Sequence, residues 1–410
     1  MKIAIIGGGA AGLMAAAAIV ENSPQTEVLL IDKNPELGKK VMISGGGRCN
    51  VTTGLRDVRQ VLTRYPRGGK FLNSVMRRFS PEFVYNWFEA RGVPLKTEKD
   101  NRVFPQSNNG RDIVTSFERL FADGHVRTLM NSYVAAAEKT STGFRLIFKD
   151  GERLDVDKLI LTTGGQAYRL TGSVGEGYVF AESLGHTITP LAPSLSAFYS
   201  REIWPREVSG LSFQNARLAV MFDKEYEFTG PFLFTHRGVS GPAVFALSSL
   251  VAFQHYDQDR PMKLSIDLWS DVPADELLKR IETAMRTNAK KSAVNVLDFF
   301  MPKTLAAIVC REIGIDGNRH AGEIAVKDME RAAAWLKAVP LHIIGRDAGE
   351  EFVTAGGVDT DEVDQRTMES KITPGLYFAG EILNVDGFTG GFNLQASWAT
   401  GRAAGEAASK

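Results

Sequence analysis

Three glycines near the start of the chain are spaced to hold a phosphate. In "IIGGGAAGL", Gly7, Gly9 and Gly12 fit G-x-G-x-x-G. In that pattern Gly7 permits a tight turn, Gly9 lets a pyrophosphate approach the backbone, and Gly12 lets a helix pack closely on a strand. Ala10 and Ala11 then open a helix whose free N–H groups and positive dipole end face the phosphates. Asp32 ends the next apolar run, where a carboxylate accepts from ribose hydroxyls. An acid there, not a basic residue, argues against a 2′-phosphate, so FAD or NAD suits this site better than NADP.

The elements around these residues agree with that chemistry. "KIAIIGGG" reads as a buried parallel strand, "AAGLMAAAAIVEN" as a helix, and "TEVLLIDKN" as a second buried strand. Later segments select FAD. "KLILTTGGQAY" is an apolar strand that breaks after Thr163 at Gly164, where a chain passes close to a cofactor. "GLYFAGE" is another short strand, ending at Gly380-Glu381. "GFTGGFNLQASWATGRAAG" runs from a glycine-rich loop into a helix that starts near Gly391, Phe392, Asn393 and Leu394. A helix N-terminus there stabilises negative charge at the edge of a flavin ring. An NAD enzyme without FAD leaves Gly380 to Leu394 without a role.

A further glycine cluster lies in "MISGGGRCNVT", Met42 to Thr52. It follows the Asp32 strand and the segment Lys33 to Lys40, which leads toward the far end of a long cofactor. Ser44, Gly45 and Gly46 let the backbone lie against the ribityl chain and ring edge, where side chains do not fit. Arg48 and Asn50 supply donors. Cys49 reads as a small buried group and not a nucleophile, since no base is evident nearby.

With these segments, and with "RVFPQS", "TGSVGEGY", "FTHRGVSGPA" and "VTAGGVDTDEVDQRTMESK", the chain resembles the BaiN/RdsA family of FAD-dependent oxidoreductases, from residue 1 to about residue 405. The resemblance implies a two-dinucleotide-domain type of α/β flavoprotein, whose Rossmann-like FAD/NAD(P)-binding domain is interrupted by a β-barrel and a small helical insert. It implies FAD contacts at Gly7, Gly9, Gly12, Asp32, Lys33, Lys40, Ser44, Arg48, Cys49, Asn50, Gly164, Gly380, Glu381, Gly391, Asn393 and Leu394. Ala10, Ala11, Gly45, Gly46, Val134, Thr163 and Phe392 complete the expected non-covalent FAD site. One departure concerns Asn384, where many members carry Asp. Any proton-transfer duty of that Asp then falls elsewhere, with Asp386 near at hand.

The texture along the chain gives the same order. The FAD domain is expected at residues 1–190 plus 347–410. Short strands after Pro190 place a barrel at 191–271 plus 338–346. Residues 272–337 read as an insert of some three helices, with Leu277, Leu278 and Ile281 on one face and Cys310 in a core.

Several functions are excluded or demoted. Formal net charge is zero, which leaves no global footprint for nucleic acid or anionic membrane. A local basic run between Arg64 and Ser80 reads first as a solvated face. No apolar run spans a bilayer and two cysteines make no disulfide framework, so the expected compartment is the cytoplasm. The six histidines are scattered, so no metal is expected, and no Ser-His-Asp pattern is present. Oligomeric state leaves no signal. A single dinucleotide fingerprint means that NAD(P)H, if it is the hydride donor, visits the flavin without a domain of its own.

The leading expectation is NAD(P)H-driven reduction of a conjugated carbon–carbon double bond, in an enone-type small molecule or a uracil base of ribosomal RNA. An oxygen-using amine or amino-acid oxidase and a flavin-bearing sensor are the alternatives. Candidate proton donors are His236, Tyr168 and Asp386.

Overall fold

The computed structural model describes residues 1–122, 126–346, 349 and 351–410. It divides into two compact units: Met1–Ser194 with Gly349–Lys410, and Leu195–Ala348.

The first unit is built on a five-stranded parallel sheet. Its order is Leu376–Phe378, Lys158–Leu161, Lys2–Ile6, Glu27–Ile31 and Val126–Leu129. Ile3 to Ile6, Val28 to Ile31 and Leu159 to Leu161 are buried, the near-continuous apolar runs of a sheet covered on both faces. The chain leaves Lys2–Ile6 on one side to Glu27–Ile31 and meets Lys158–Leu161 on the other. The topological switch point therefore lies beyond Ile6 and Leu161, where an open α/β sheet binds its ligand.

Helix Ala10–Asn22 is buried from Ala11 to Ile19, so its alanines are core and not surface. The C-terminal helix Phe392–Ala408 lies directly on it. A Cβ on Gly401 would sit 2.3 Å from the Ala11 carbonyl oxygen, and one on Gly405 2.3 Å from that of Ala15. Both contacts advance by four residues, so the helices run parallel, and only glycine admits so close an approach. Two small antiparallel sheets complete the unit. One joins Thr52–Thr53, Arg102–Pro105 and Leu95–Thr97, and the other joins Val134–Lys139, Phe144–Phe148 and Arg153–Val156. Strands Ala192–Ser194 and Val353–Ala355 pair where the chain leaves and re-enters.

The second unit holds a closed six-stranded barrel, ordered Phe198–Ser200, Gly238–Ser240, Glu225–Thr235, Ser212–Met221, Met262–Asp267 and Val339–Arg346. The helical segment between its last two strands contains four α-helices, not three: Ala274–Thr287, Ala293–Leu297, Lys303–Glu312 and Val326–Lys337. Pro302 makes the difference. It has no N–H to continue the helix begun at Ala293, and it stands at the N-cap of the next one. Leu277 and Ile281 are buried while Leu278 is only half-buried, and Cys310 lies in the core of this unit. The domain boundary expected at residue 347 falls outside the described residues. Among the described residues, no helix is long and apolar enough to cross a membrane.

Candidate functional site

The three fingerprint glycines do three different things. Gly7 has φ +110°, and a Cβ there would lie 2.4 Å from the Thr162 carbonyl oxygen. Gly12 supports the helix–strand contact, since a Cβ would stand 1.9 Å from the Gly7 carbonyl oxygen. Gly9 alone faces open space, with nothing within 4 Å of the Cβ position. That opening lies in front of the first turn of helix Ala10–Asn22, where Ala10, Ala11 and Gly12 have no intrahelical acceptor for their N–H groups. Thr162, which the sequence does not single out, ties the two strands of the switch point together. Its N–H donates to the Ile6 carbonyl (2.9 Å) and its hydroxyl to that of Gly7 (2.8 Å).

Asp32 is half-buried beside this opening. One of its carboxylate oxygens accepts from Gly8 N–H (2.7 Å), the other from Asn34 N–H (2.8 Å) and the Asn34 amide (2.9 Å). The Asp32 carbonyl accepts from Ser132 N–H (3.0 Å), which brings the start of strand Val134–Lys139, with Val134 buried, alongside. Lys33 is ion-paired with Glu176, and Lys40 with Glu381 at 2.7 Å. Glu381 also accepts from Thr354 N–H (2.9 Å).

The Ser44–Asn50 segment is a run of left-handed turns. Gly45, Gly46, Gly47 and Cys49 have φ of +58°, +71°, +86° and +59°. A Cβ on Gly45 would crowd the Phe104 ring and Asn50, whereas Gly46 and Gly47 face open space. The Ser44 hydroxyl is turned back to the Val41 carbonyl (2.8 Å). Arg48 lies 3.8 Å over the Phe104 ring and pairs with Glu98 at 2.7 Å. Cys49 is fully buried, and burial pushes its thiol up to about 12 against a lowering hydrogen bond from Ser44. Asn50 accepts from Val103 N–H (3.2 Å).

This segment adjoins the C-terminal helix. A Cβ on Gly391 would lie 2.3 Å from the Thr52 carbonyl oxygen, Thr52 donates to Gln395 (2.6 Å), and the Trp398 indole donates to the Val51 carbonyl (2.9 Å). Gly391 is left-handed at φ +89°, and Phe392 is buried beneath Tyr65, whose hydroxyl donates to its carbonyl (2.7 Å). The Asn393 side chain clamps Gly387, accepting from its N–H (2.8 Å) and donating to its carbonyl (2.7 Å). Asn393 thus holds the loop, while Leu394 is half-buried one position further on.

The parallel helices measure the site. Gly401 is level with Ala11, and Phe392 lies nine residues before Gly401. At 1.5 Å per residue the second helix N-terminus projects about 12 Å beyond the first. Two positive helix ends therefore point the same way, one at Gly9 and one at Gly391, with glycine-lined backbone at each. Gly380 (φ +80°) stands between them, where a Cβ would be 2.8 Å from that of Ala11. Gly164 is left-handed at φ +74°. Thr163 Oγ1 and Asn384 Oδ1 are buried and, among the described residues, have no hydrogen-bond partner. Open backbone at two ends and orphaned polar atoms beside it fit an extended dinucleotide such as FAD.

The candidate proton donors are placed apart in kind. Asp386 is fully buried, ion-paired with Arg67, and accepts from the Ser194 hydroxyl at 2.9 Å. Arg67 stands 319 residues from it in sequence, which no local pattern reveals. Tyr168 has φ +54°, stacks on Phe352 with centroids 5.7 Å apart, and has the Lys40 ammonium 5.9 Å from its ring. His236 is exposed on the turn between barrel strands Glu225–Thr235 and Gly238–Ser240 in the second unit. Among the described residues, no group of His, Cys, Asp and Glu is arranged for a metal ion.

Comparison with known proteins places this geometry. The chain is 30% identical over 412 residues to the 3-dehydro-bile acid delta(4,6)-reductase of Clostridium scindens, covering 100% of this chain and 99% of that protein. It is 30% identical over 399 residues to the ribosomal RNA dihydrouridine synthase of Escherichia coli, covering 97% and 95%. Among solved structures it shares its fold with a flavocytochrome c3 fumarate reductase, at a TM-score of 0.52 and 16% identity over 100% of this chain and 78% of that one. The 3-ketosteroid delta1-dehydrogenase of Sterolibacterium denitrificans also has a TM-score of 0.52, at 12% identity over 100% and 99%. The model of the HI0933-like protein Rossmann domain matches residues 1–407, and the chain belongs to that family.

Proposed function

We propose that the chain is an FAD-dependent reductase of a conjugated carbon–carbon double bond, driven by NAD(P)H. The observation that carries the reading is the full-length likeness to two enzymes whose names describe the same bond change. A delta(4,6)-reductase and a dihydrouridine synthase each saturate a ring double bond.

FAD, when bound, supplies the two-electron carrier between donor and substrate. The protein's part is binding and electrostatics. The Gly7–Gly12 turn and the helix behind it hold the pyrophosphate, and Asp32 orients the ribose. Backbone at Gly45 and Gly46 lies against the ribityl chain. The N-terminus at Gly391 to Leu394 favours negative charge at the ring edge. The Arg67–Asp386 pair fixes the loop before that helix and leaves proton donation to another group. A cytoplasmic setting suits both free thiols.

The test is anaerobic addition of NADPH or NADH to the yellow holoprotein. Loss of visible flavin absorbance is expected with at least one of them. Absorbance that survives both nicotinamides overturns NAD(P)H as the donor.

A further inference from the structure

Asn384 lies on a loop whose backbone the fold fixes tightly, yet its side chain is left unused. The loop runs from Gly380, packed against Ala11, to Gly391 at the start of helix Phe392–Ala408. Asn384 N–H donates to the Val358 carbonyl (3.0 Å), and Val385 N–H closes a three-residue turn onto the Leu383 carbonyl (2.6 Å). The Arg67–Asp386 ion pair holds the chain two residues further on. On the other side, a Cβ on Gly68 would lie 3.0 Å from the Asn384 carbonyl oxygen.

Asn384 stands at the crown of that turn. Among the described residues its amide makes no hydrogen bond, and Oδ1 is buried. A buried carbonyl without a donor costs free energy that native proteins rarely leave unrecovered. Thr163 Oγ1 shares this condition but is closed off, since a Cβ on Gly177 would lie 1.8 Å from it and helix Glu176–Ser183 fills that space. The Asn384 amide is placed on the loop that the two helix ends bracket.

We propose that the Asn384 amide grips the imide edge of the flavin ring, its carbonyl accepting from the N3 proton and its amino group donating to a ring carbonyl beside it. A primary amide presents an acceptor and a donor in one plane, which is the complement of an imide. The pinned turn sets the amide in place beforehand, so little ordering is lost on contact. The proposal rests on the reading of the site as that of an FAD-dependent reductase.

The experiment is a two-by-two comparison. Wild type and Asn384→Ala are stripped of flavin, and each is titrated with FAD and with FAD methylated at N3, followed by flavin fluorescence. Asn384→Ala is expected to bind FAD roughly tenfold more weakly, because two neutral hydrogen bonds are lost. Methylation at N3 is expected to weaken wild type by roughly tenfold and the variant by less than about threefold, the non-additivity of groups in contact. The apo variant should melt no lower than apo wild type, since the change removes an orphaned carbonyl and breaks no hydrogen bond. Equal methylation penalties in the two proteins overturn the proposal, as does a variant that binds FAD like wild type. A lower melting temperature of the apo variant also overturns it, because the amide then serves the fold. Bleaching by NADPH and NADH is recorded on the wild-type holoprotein. Wild type that binds no FAD overturns the reading and the contact together. FAD binding and bleaching with additive penalties sink the Asn384 contact alone. Non-additive penalties without bleaching sink the NAD(P)H reading and leave the contact standing.

Discussion

Gly46→Val separates backbone strain from loss of the ligand. Gly46 has φ +71°, and nothing lies within 4 Å of its Cβ position. The protein supplies its own control. Gly92, in the turn after helix Pro81–Glu89, has φ +72° and equally open space. A valine at either position is forced into the left-handed region at about 1–3 kcal/mol. That is a fraction of the roughly 5–15 kcal/mol that holds a domain together, so both variants fold. Their melting temperatures are expected to fall together by roughly 2–12 °C. Flavin affinity should part them. If the Gly45–Gly47 turn lies against the cofactor, the added side chain overpacks that contact by about 1–3 kcal/mol, or roughly 5- to 150-fold in Kd. Titration of apoprotein with FAD, followed by flavin fluorescence, measures it. Gly46→Asn adds a second check, because asparagine tolerates the left-handed region, keeps the stability, and still fills the space. Gly46→Val that binds FAD as tightly as Gly92→Val refutes the placement of this turn.

Asp386→Asn removes one member of a buried ion pair whose partner Arg67 keeps 16% of its side chain in solvent. Urea unfolding should report a loss of about 2–4 kcal/mol, while flavin reduction per folded molecule stays within a few-fold of wild type. A collapse of that rate with unchanged stability would return Asp386 to the role of proton donor. Cys49, its thiol pushed up to about 12, should resist thiol reagents at pH 8 until the protein unfolds. Rapid labelling mapped to Cys49 contradicts its burial. The buried His186 ring lies between Glu362 (3.1 Å) and the Ser370 hydroxyl (2.7 Å), and burial pushes its pKa down against the raising effect of Glu362. The Ser370 oxygen already accepts from Ile372 and Thr373 N–H groups, so its own proton goes to His186. The native state then binds fewer protons than the unfolded chain, whose histidine titrates near about 6.5. Stability should be full above that pH and fall as pH drops through 6.5 toward the lower folded value. Thermal melts of His186→Gln between pH 7 and pH 5 should show a flatter decline, and a decline as steep as wild type removes His186 as its source.

The Rossmann half was legible because its determinants are local. A glycine spacing, a β-branched run and an alanine-rich helix each act within one or two turns of chain, and Gly7, Gly9 and Gly12 carry their tasks in their positions. The helical insert was legible in kind but not in number, because Pro302 lies inside a stretch whose apolar pattern continues across it. The candidate acids were the least legible. Asp386 has the residue type of a proton donor, but its burial and its contacts with Arg67 and Ser194 come from partners far away in sequence.

The sequence alone marked Gly7 to Gly12 as a dinucleotide turn, since a turn, a helix N-terminus and an acid at the end of the next strand are short-range features of chain order. It also marked Met42 to Thr52 as backbone that something approaches closely. Only the tertiary structure decided how the helix behind Gly9 and the helix behind Gly391 are offset. Gly401 and Gly405 let helix Phe392–Ala408 lie parallel on helix Ala10–Asn22 with its start about 12 Å further out. That offset arises from packing between residues almost 400 positions apart, and no local pattern encodes it.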